Sequence, residues 1–445
     1  MNFIHRSHLA ALTAALLLGA CAGFQPGRSI QIASAGVSQT LCSSVFVSAR
    51  DADQTYREEK RPEGGMGFID WALRYTVDRE RREVSTTVAG AFPSRAVYRE
   101  GMGCLIDHEG IPADVAPPRE AVPVLLPEIA SAAVVPATEA RMRAAIDEAF
   151  TEPVAPPWRY TKAVVVVHRG RVVGERYAPD INLGTAWHGH SVSKSVTHAL
   201  VGILVRQGKL QPEPLDPLLR MSDGGPRIGF YNGFDDATRM WSFERDMAGF
   251  AASRGQEVPP GTRWAYSDPA YMLASRAVRD VAGGQAADVI RLAERELFGP
   301  LGMTTAVMEF DATGTPVGAS HFYASARDWA RFGLLYLNDG VVGGRQILPP
   351  GWAKQAATPT LKTGYGAGFW LNNAEAEPSP MGFPWGLPGA PADAYFGFGY
   401  LGQFVVIVPS RQLVIVRLGL THVRGGDREA AGRLVTGVVA AIDAH

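Results

Sequence analysis

The sequence predicts an α+β protein, an α/β sandwich whose single antiparallel sheet is closed by helices from both ends of the main domain. Three observations predict it: two hairpin patterns stand far apart, the segments between them are mostly helical, and a helix flanks each hairpin on its outer side. The first hairpin runs from Lys162 to His168, turns at Arg169-Gly170 and returns from Arg171 to Tyr177. The second goes out over Gln403–Val408, turns at Pro409-Ser410-Arg411-Gln412 and comes back over Leu413–Leu418. Apolar residues at helical spacing predict the flanking helices, Ala140–Phe150 and Asp427–Ala444, the second through Leu434, Val438 and Ala441. Between the hairpins the same periodicity predicts helices at Ser191–Gln207, Tyr271–Val281, Ala287–Leu297 and Ala326–Leu337, which form an inserted helical subdomain.

The main domain so defined spans 139–445. Before it, residues 111–138 are dense in Pro, Ala and Val with little periodicity, and predict an extended connector. Residues 36–110 form a small N-terminal region with strand-like runs such as Ser44-Val45-Phe46-Val47-Ser48 and Ala96-Val97-Tyr98. Residues 1–20 read as a signal peptide. Arg6 precedes an apolar run, Leu9 to Leu18, that is too short to span a bilayer. The run ends Leu18-Gly19-Ala20-Cys21, which resembles a lipobox with Cys21 as the lipidated residue; an ordinary secretory signal is the plain alternative. Either route places the protein in a bacterial envelope, on the periplasmic face of a membrane as a lipoprotein or free in the periplasm. Of three cysteines, Cys42 and Cys104 then remain, and an oxidising compartment predicts a disulfide between them.

A formal net charge of -1 on 445 residues offers no field for nucleic acid, and no Lys/Arg cluster reverses that. Membrane contact is expected only through the N-terminal lipid. No phosphate-binding Gly loop and no metal-ligand spacing is present, so neither a cofactor nor a metal is expected; His188-Gly189-His190 lacks an acidic partner at metallohydrolase spacing.

The chemistry concentrates at Ser191-Val192-Ser193-Lys194. Residues three apart on a helix share a face, so the Lys194 ammonium can reach the Ser191 hydroxyl. A serine needs a base, and a lysine becomes one where burial or neighbouring cations lower its pKa. The helix start adds free N–H groups to hold a developing oxyanion. Taken alone, the pattern is weak and reads first as an N-cap serine.

Further motifs separate the two. Pro260-Gly261-Thr262-Arg263-Trp264-Ala265-Tyr266-Ser267-Asp268 sets a tyrosine just before a helix. Leu297-Phe298-x-Pro300-Leu301-Gly302-Met303, Ser325-Ala326-Arg327-Asp328-x-Ala330-Arg331-Phe332-Gly333 and Gly399-Tyr400-Leu401-Gly402-Gln403 follow in order. Over roughly residues 162–440 the chain resembles the serine β-lactamase and penicillin-binding-protein superfamily. It is most similar to the class C-like branch with carboxylesterases and aminohexanoate-dimer hydrolases. The resemblance implies the β-lactamase/D,D-peptidase fold, Ser191 as nucleophile, and Lys194 and Tyr266 as the general acid–base pair, with Tyr266 acting as a phenolate near two cations. It implies an oxyanion hole made by the Ser191 and Gln403 N–H groups, with Gly402 and Tyr400 at the substrate side and Tyr231 as a second pocket tyrosine.

Two departures bear on substrate. The third motif, Lys-Thr-Gly in β-lactamases, is Tyr400-Leu401-Gly402 here, and the second ends in Asp268 where lactamases carry Asn. A literal Lys362-Thr363-Gly364 has no strand-turn-strand after it and reads as chance. Gly189-His190-Ser191-Val192-Ser193 half-resembles the nucleophile elbow of α/β-hydrolases, but no buried strand precedes it. The expected function is an acyl-enzyme serine hydrolase of small-molecule esters or amides. The alternatives are a catalytically silent protein on the same fold that binds a cell-wall fragment, and a true β-lactamase or D,D-peptidase.

Overall fold

The computed structural model describes residues 26–126, 129, 132–226, 235–423 and 425–444. Cys21 and Tyr231 lie outside the described residues.

The sheet of the main domain has six antiparallel strands: β5 (Thr161–His168), β6 (Arg171–Tyr177), β7 (Trp370–Leu371), β8 (Tyr395–Gly399), β9 (Gln403–Val408) and β10 (Leu413–Gly419), ordered β7-β8-β9-β10-β5-β6. The chain's two hairpins therefore join edge to edge, with Val165 opposite Val416 and Val167 opposite Val414. β5, β9 and β10 are buried nearly end to end, so their Val/Ile runs are continuous rather than alternating, as expected where both sheet faces are covered. The terminal helices, α2 (Ala140–Phe150) and α6 (Gly426–Asp443), pack on one another and cover one face. Helix α5 (Ala326–Leu337) lies on β5, β9 and β10 from the other side. It comes close because position 333 is glycine; a β-carbon there would meet Val414 Cγ1 at 2.5 Å. Two further helices, α3 (Ser193–Arg206) and α4 (Asp268–Ala282), carry the site, and α3 is buried on every side from Ser193 to Leu204.

The N-terminal region has its own apolar core. Helix α1 (Pro26–Phe46) packs on a four-stranded antiparallel meander, β1 (Leu73–Asp78), β2 (Glu83–Val88), β3 (Ala91–Arg99) and β4 (Gly103–Ile106). Ala96-Val97-Tyr98 falls in β3 as expected. The run Ser44–Ser48 is not a strand: it is the end of α1 and the turn beyond it. The face of α1 on the sheet carries Val37, Leu41, Cys42 and Val45 at helical spacing, so tertiary burial overrides the strand preference of Val45 and Phe46. The expected disulfide is present, Cys42 to Cys104, tying α1 to β4.

Residues 111–126 carry no helix or strand and run along the main domain, with Leu125 N–H donating to Pro300 O. Where the connector ends, Val135 and Glu175 exchange bonds through the Glu175 backbone N–H and its carboxylate.

Candidate active site

The chain enters the site through a short strand, Trp187–His188, and a tight turn, His190–Val192, before α3 begins at Ser193. His190 has φ +46°, a left-handed backbone uncommon outside glycine, so the residue before Ser191 is held in a strained conformation. Ser193 holds it there: its Oγ lies 2.6 Å from both His190 O and Ser320 O and accepts from Phe322 N–H. Ser195 Oγ donates to Gly368 O. Ser191 caps nothing. Val192 occupies the cap position of α3, without a side-chain bond, and Ser191 Oγ instead accepts from Lys194 Nζ at 3.1 Å and Tyr266 Oη at 2.7 Å.

The surroundings of these two donors differ from the sequence expectation. Lys194 is 1 % exposed, yet its nearest charged neighbour is a carboxylate, not a cation: Nζ donates to Asp268 Oδ1 at 2.5 Å and to Ala319 O at 2.7 Å. Tyr266 is not poised as a phenolate. Burial, then the Asp268 charge, raises its pKa well above the ordinary phenol value, against the smaller opposing effects of the Ser191 bond and Arg428. It stands as a neutral O–H donor. Ser267 fixes both neighbours by capping α4, its Oγ accepting from Ala270 N–H, which sets Asp268 on the first turn with its carboxylate turned back to Lys194.

Tyr266 stacks on Trp370, centroids 5.9 Å apart. On Trp370 also sits the guanidinium of Arg428, 4.6 Å from its ring, 4.5 Å from Phe383 and 4.4 Å from Phe398. Arg428 is 1 % exposed and donates to Trp385 O. Neither Arg428 nor the Asp268–Lys194 pair was foreseen. Asp268 left a signal, an acid where the resembling motif has an amide; Arg428 left none, being one charge in the first turn of a terminal helix.

The third-motif triplet forms the β8–β9 turn. Leu401 and Gly402 both have positive φ, and Tyr400 is 48 % exposed with its ring edge-on to His190, centroids 5.6 Å apart. The Gln403 side chain faces inward, accepting from Trp187 Nε1 and donating to Tyr400 O and Gly419 O. Two glycines of β8 let this corner pass the His190–Val192 turn. A β-carbon on Gly397 would lie 3.0 Å from Val192 Cγ1, and Gly399 sits against Gly189 and His190. Lys362 of the literal Lys-Thr-Gly is exposed, 3.7 Å from Glu377.

Three histidines cluster behind the turn. His188 lies 3.7 Å from His190, 5.5 Å from His321 and 4.5 Å from Tyr323, ring to ring. Burial, with the charges of His321, Lys60 and Lys194, pushes His190 down to about 3. His321 Nδ1 lies 3.2 Å from the buried Glu309 carboxylate, which accepts from Gln39 Nε2, Ser43 Oγ and Cys104 N–H of the N-terminal region. Among the described residues no group of three or more His, Cys, Asp or Glu is arranged to hold a metal.

A six-stranded antiparallel sheet with a terminal helix pair, a buried central helix and a Ser-x-x-Lys turn at its edge defines the β-lactamase fold. Residues 146–439 match the Beta-lactamase family model, and the chain belongs to that family of hydrolases. An uncharacterized protein of Alkalihalophilus pseudofirmus is 23% identical over 294 residues, covering 57% of this chain and 82% of its own. Among solved structures, a Bacillus anthracis protein assigned as a 6-aminohexanoate-dimer hydrolase superposes with TM-score 0.52 at 18% identity, covering 73% of this chain and 91% of its own. A family VIII carboxylesterase gives 0.52 at 16% identity, covering 69% and 98%. A penicillin-binding protein homolog of Caulobacter crescentus gives 0.51 at 18%, covering 69% and 99%.

Proposed function

We propose that the chain is a serine hydrolase that forms an acyl-enzyme on Ser191 and acts on short neutral esters or small amides. The observation that carries this reading is Ser191 Oγ held between Lys194 Nζ and Tyr266 Oη while serving no capping role. Lys194 and Tyr266 supply proton transfer, and Tyr266, a neutral phenol, suits protonation of the leaving group. The Ser191 and Gln403 N–H groups form the oxyanion hole in this reading. The third-motif triplet carries no charged side chain, Tyr400 offering a hydroxyl and Leu401 being buried, which favours neutral substrates over β-lactams and D,D-peptides. A 6-aminohexanoate-dimer hydrolase and a carboxylesterase among the structural neighbours agree with amide or ester substrates. We place the protein in the bacterial envelope on the leader pattern before Cys21 and the Cys42–Cys104 disulfide.

A fluorophosphonate probe tests the reading. It should label the parent once per chain, at Ser191, and leave Ser191→Ala unlabelled. A parent that neither labels nor turns over p-nitrophenyl esters would refute it and leave a binding protein on the same fold.

A further inference from the structure

We propose that Asp268 is the terminal proton acceptor for attack by Ser191, reached through Lys194; this rests on the reading of Ser191 as the nucleophile. Ser191 Oγ touches two groups, and both already carry protons directed at it, the Lys194 ammonium and the Tyr266 phenol. Neither can take the serine proton without passing one on. Lys194 has somewhere to pass it. Its Nζ is 2.5 Å from Asp268 Oδ1, and its remaining partner is the Ala319 carbonyl, too weak a base for the task. Asp268 is therefore the carboxyl group connected to the nucleophile by a single side chain. The pair is dry, with Asp268 0 % and Lys194 1 % exposed. The transfer moves the negative charge from Asp268 to the oxyanion, so the Lys194 ammonium keeps a counter-charge throughout.

The protons balance through a full cycle. In acylation the serine proton moves to Lys194 Nζ while an Nζ proton moves to Asp268 Oδ1, and the freed Oγ electron pair forms a bond to the acyl carbon. When the tetrahedral intermediate collapses, the bond to the leaving oxygen breaks and that oxygen takes the Tyr266 proton. The resulting phenolate lies beside the Lys194 ammonium, whose Nζ is 4.9 Å from the Tyr266 ring. In deacylation water gives one proton to this phenolate as its oxygen attacks the acyl carbon. The second collapse breaks the bond to Oγ, and the proton on Asp268 returns to Ser191 through Lys194. One water is consumed, and one acid and one alcohol leave.

Asp268→Asn tests the relay. Asn keeps the volume and one acceptor oxygen, but it cannot take a proton. Facing the pair are the phenols of Tyr266, Tyr271 and Tyr365, all raised by burial, and across the turn His190, pushed down to about 3. None of these replaces the carboxylate near neutrality. Single-turnover acylation by Asp268→Asn at pH 7 should fall by about 10², the low end of the range for a lost general base, since lactamases carry Asn at this position. It should recover as pH rises and hydroxide takes up the proton that Asn cannot, while the parent rate stays flat. An unchanged rate and profile would overturn the relay. So would a loss uniform across pH, which would leave Asp268 only holding Lys194 in place. A second measurement needs no variant: the parent's acylation rate in H₂O/D₂O mixtures should curve with deuterium content, because two protons move together, and a straight line overturns the proposal. Failure of this idea is separable from failure of the serine reading. A parent that labels at Ser191 and hydrolyses ester, beside an equally active Asp268→Asn, removes the relay alone.

Discussion

Gly399 and Gly189 meet backbone against backbone: a β-carbon on Gly399 would lie 2.1 Å from the Gly189 carbonyl oxygen and 3.1 Å from His190 Cβ. The sheet edge and the His190–Val192 turn are thus set by a contact that no other residue type permits. Gly399→Ala should cost about 1–3 kcal/mol of stability through overpacking. It should also displace Ser191 enough to lose about 10² in rate. Gly397→Ala, facing only Val192 Cγ1 and Ser195 Oγ at about 3 Å, should be milder in both. Thermal melts and ester kinetics on the two variants check the order; Gly399→Ala with full activity would refute the contact's role.

Ser191→Ala and Lys194→Ala should each abolish turnover, and the double variant should be no worse than either, because the residues act as one unit. Circular dichroism should show the fold retained in Ser191→Ala. Lys194→Ala removes a buried ionic partner of Asp268 and should melt lower, since breaking a buried ion pair is costly.

Tyr266→Phe should lower the rate by about 10²–10⁴. The sign of the pH dependence follows from the raised phenol: the active form is the protonated one, present below its pKa and lost only as pH rises through a value well above 10. No alkaline decline should therefore appear between about pH 7 and 9. A descending limb centred in that interval would assign the acid to another group.

How far these features were legible varies with how local their causes are. Both hairpins and the span of α5 stood in the sequence to within about a residue, because Val-rich runs, the Arg169-Gly170 turn and the Ser325 cap act over a few positions. Helix α1 was not legible. Its sheet-facing side includes Ser34 and Ser38, both buried, with Ser34 bonded to Thr86 and Ser38 to Ser94 across the interface. Buried serines erase the apolar stripe on which a helix is recognised. Ser191, Lys194 and Tyr266 were legible as motifs, but the partners around them were not. Chief among these is Asp268, whose approach to Lys194 spans 74 positions of chain.

Short p-nitrophenyl esters should be hydrolysed, and nitrocefin weakly or not at all. A site missing the donor for a charged group commonly loses a few kcal/mol of discrimination, and Tyr400-Leu401 supplies no charge. Efficient nitrocefin turnover beside inert esters would overturn this preference.

Cys42→Ser with Cys104→Ser should destabilise the chain by about 2–4 kcal/mol, since the bridge closes a loop with sequence separation 62. Non-reducing peptide mapping of the parent should recover the linked pair. Two free thiols there would remove the disulfide from the account.

The Glu309 carboxylate binds the two folding units into a timetable. Its donors Gln39, Ser43 and Cys104 precede it by 270, 266 and 205 residues. As the chain emerges N-terminus first, the N-terminal unit can finish its helix, its meander and its own core before the acceptor arrives. It then waits with its polar docking face open to water. Contacts of such long range form late and slowly. The last event of folding should therefore be the closure of this joint, after both cores are complete. A chain begun at residue 140 would reach that moment with no partner to receive, keeping a carboxylate built for burial but stripped of three of its donors.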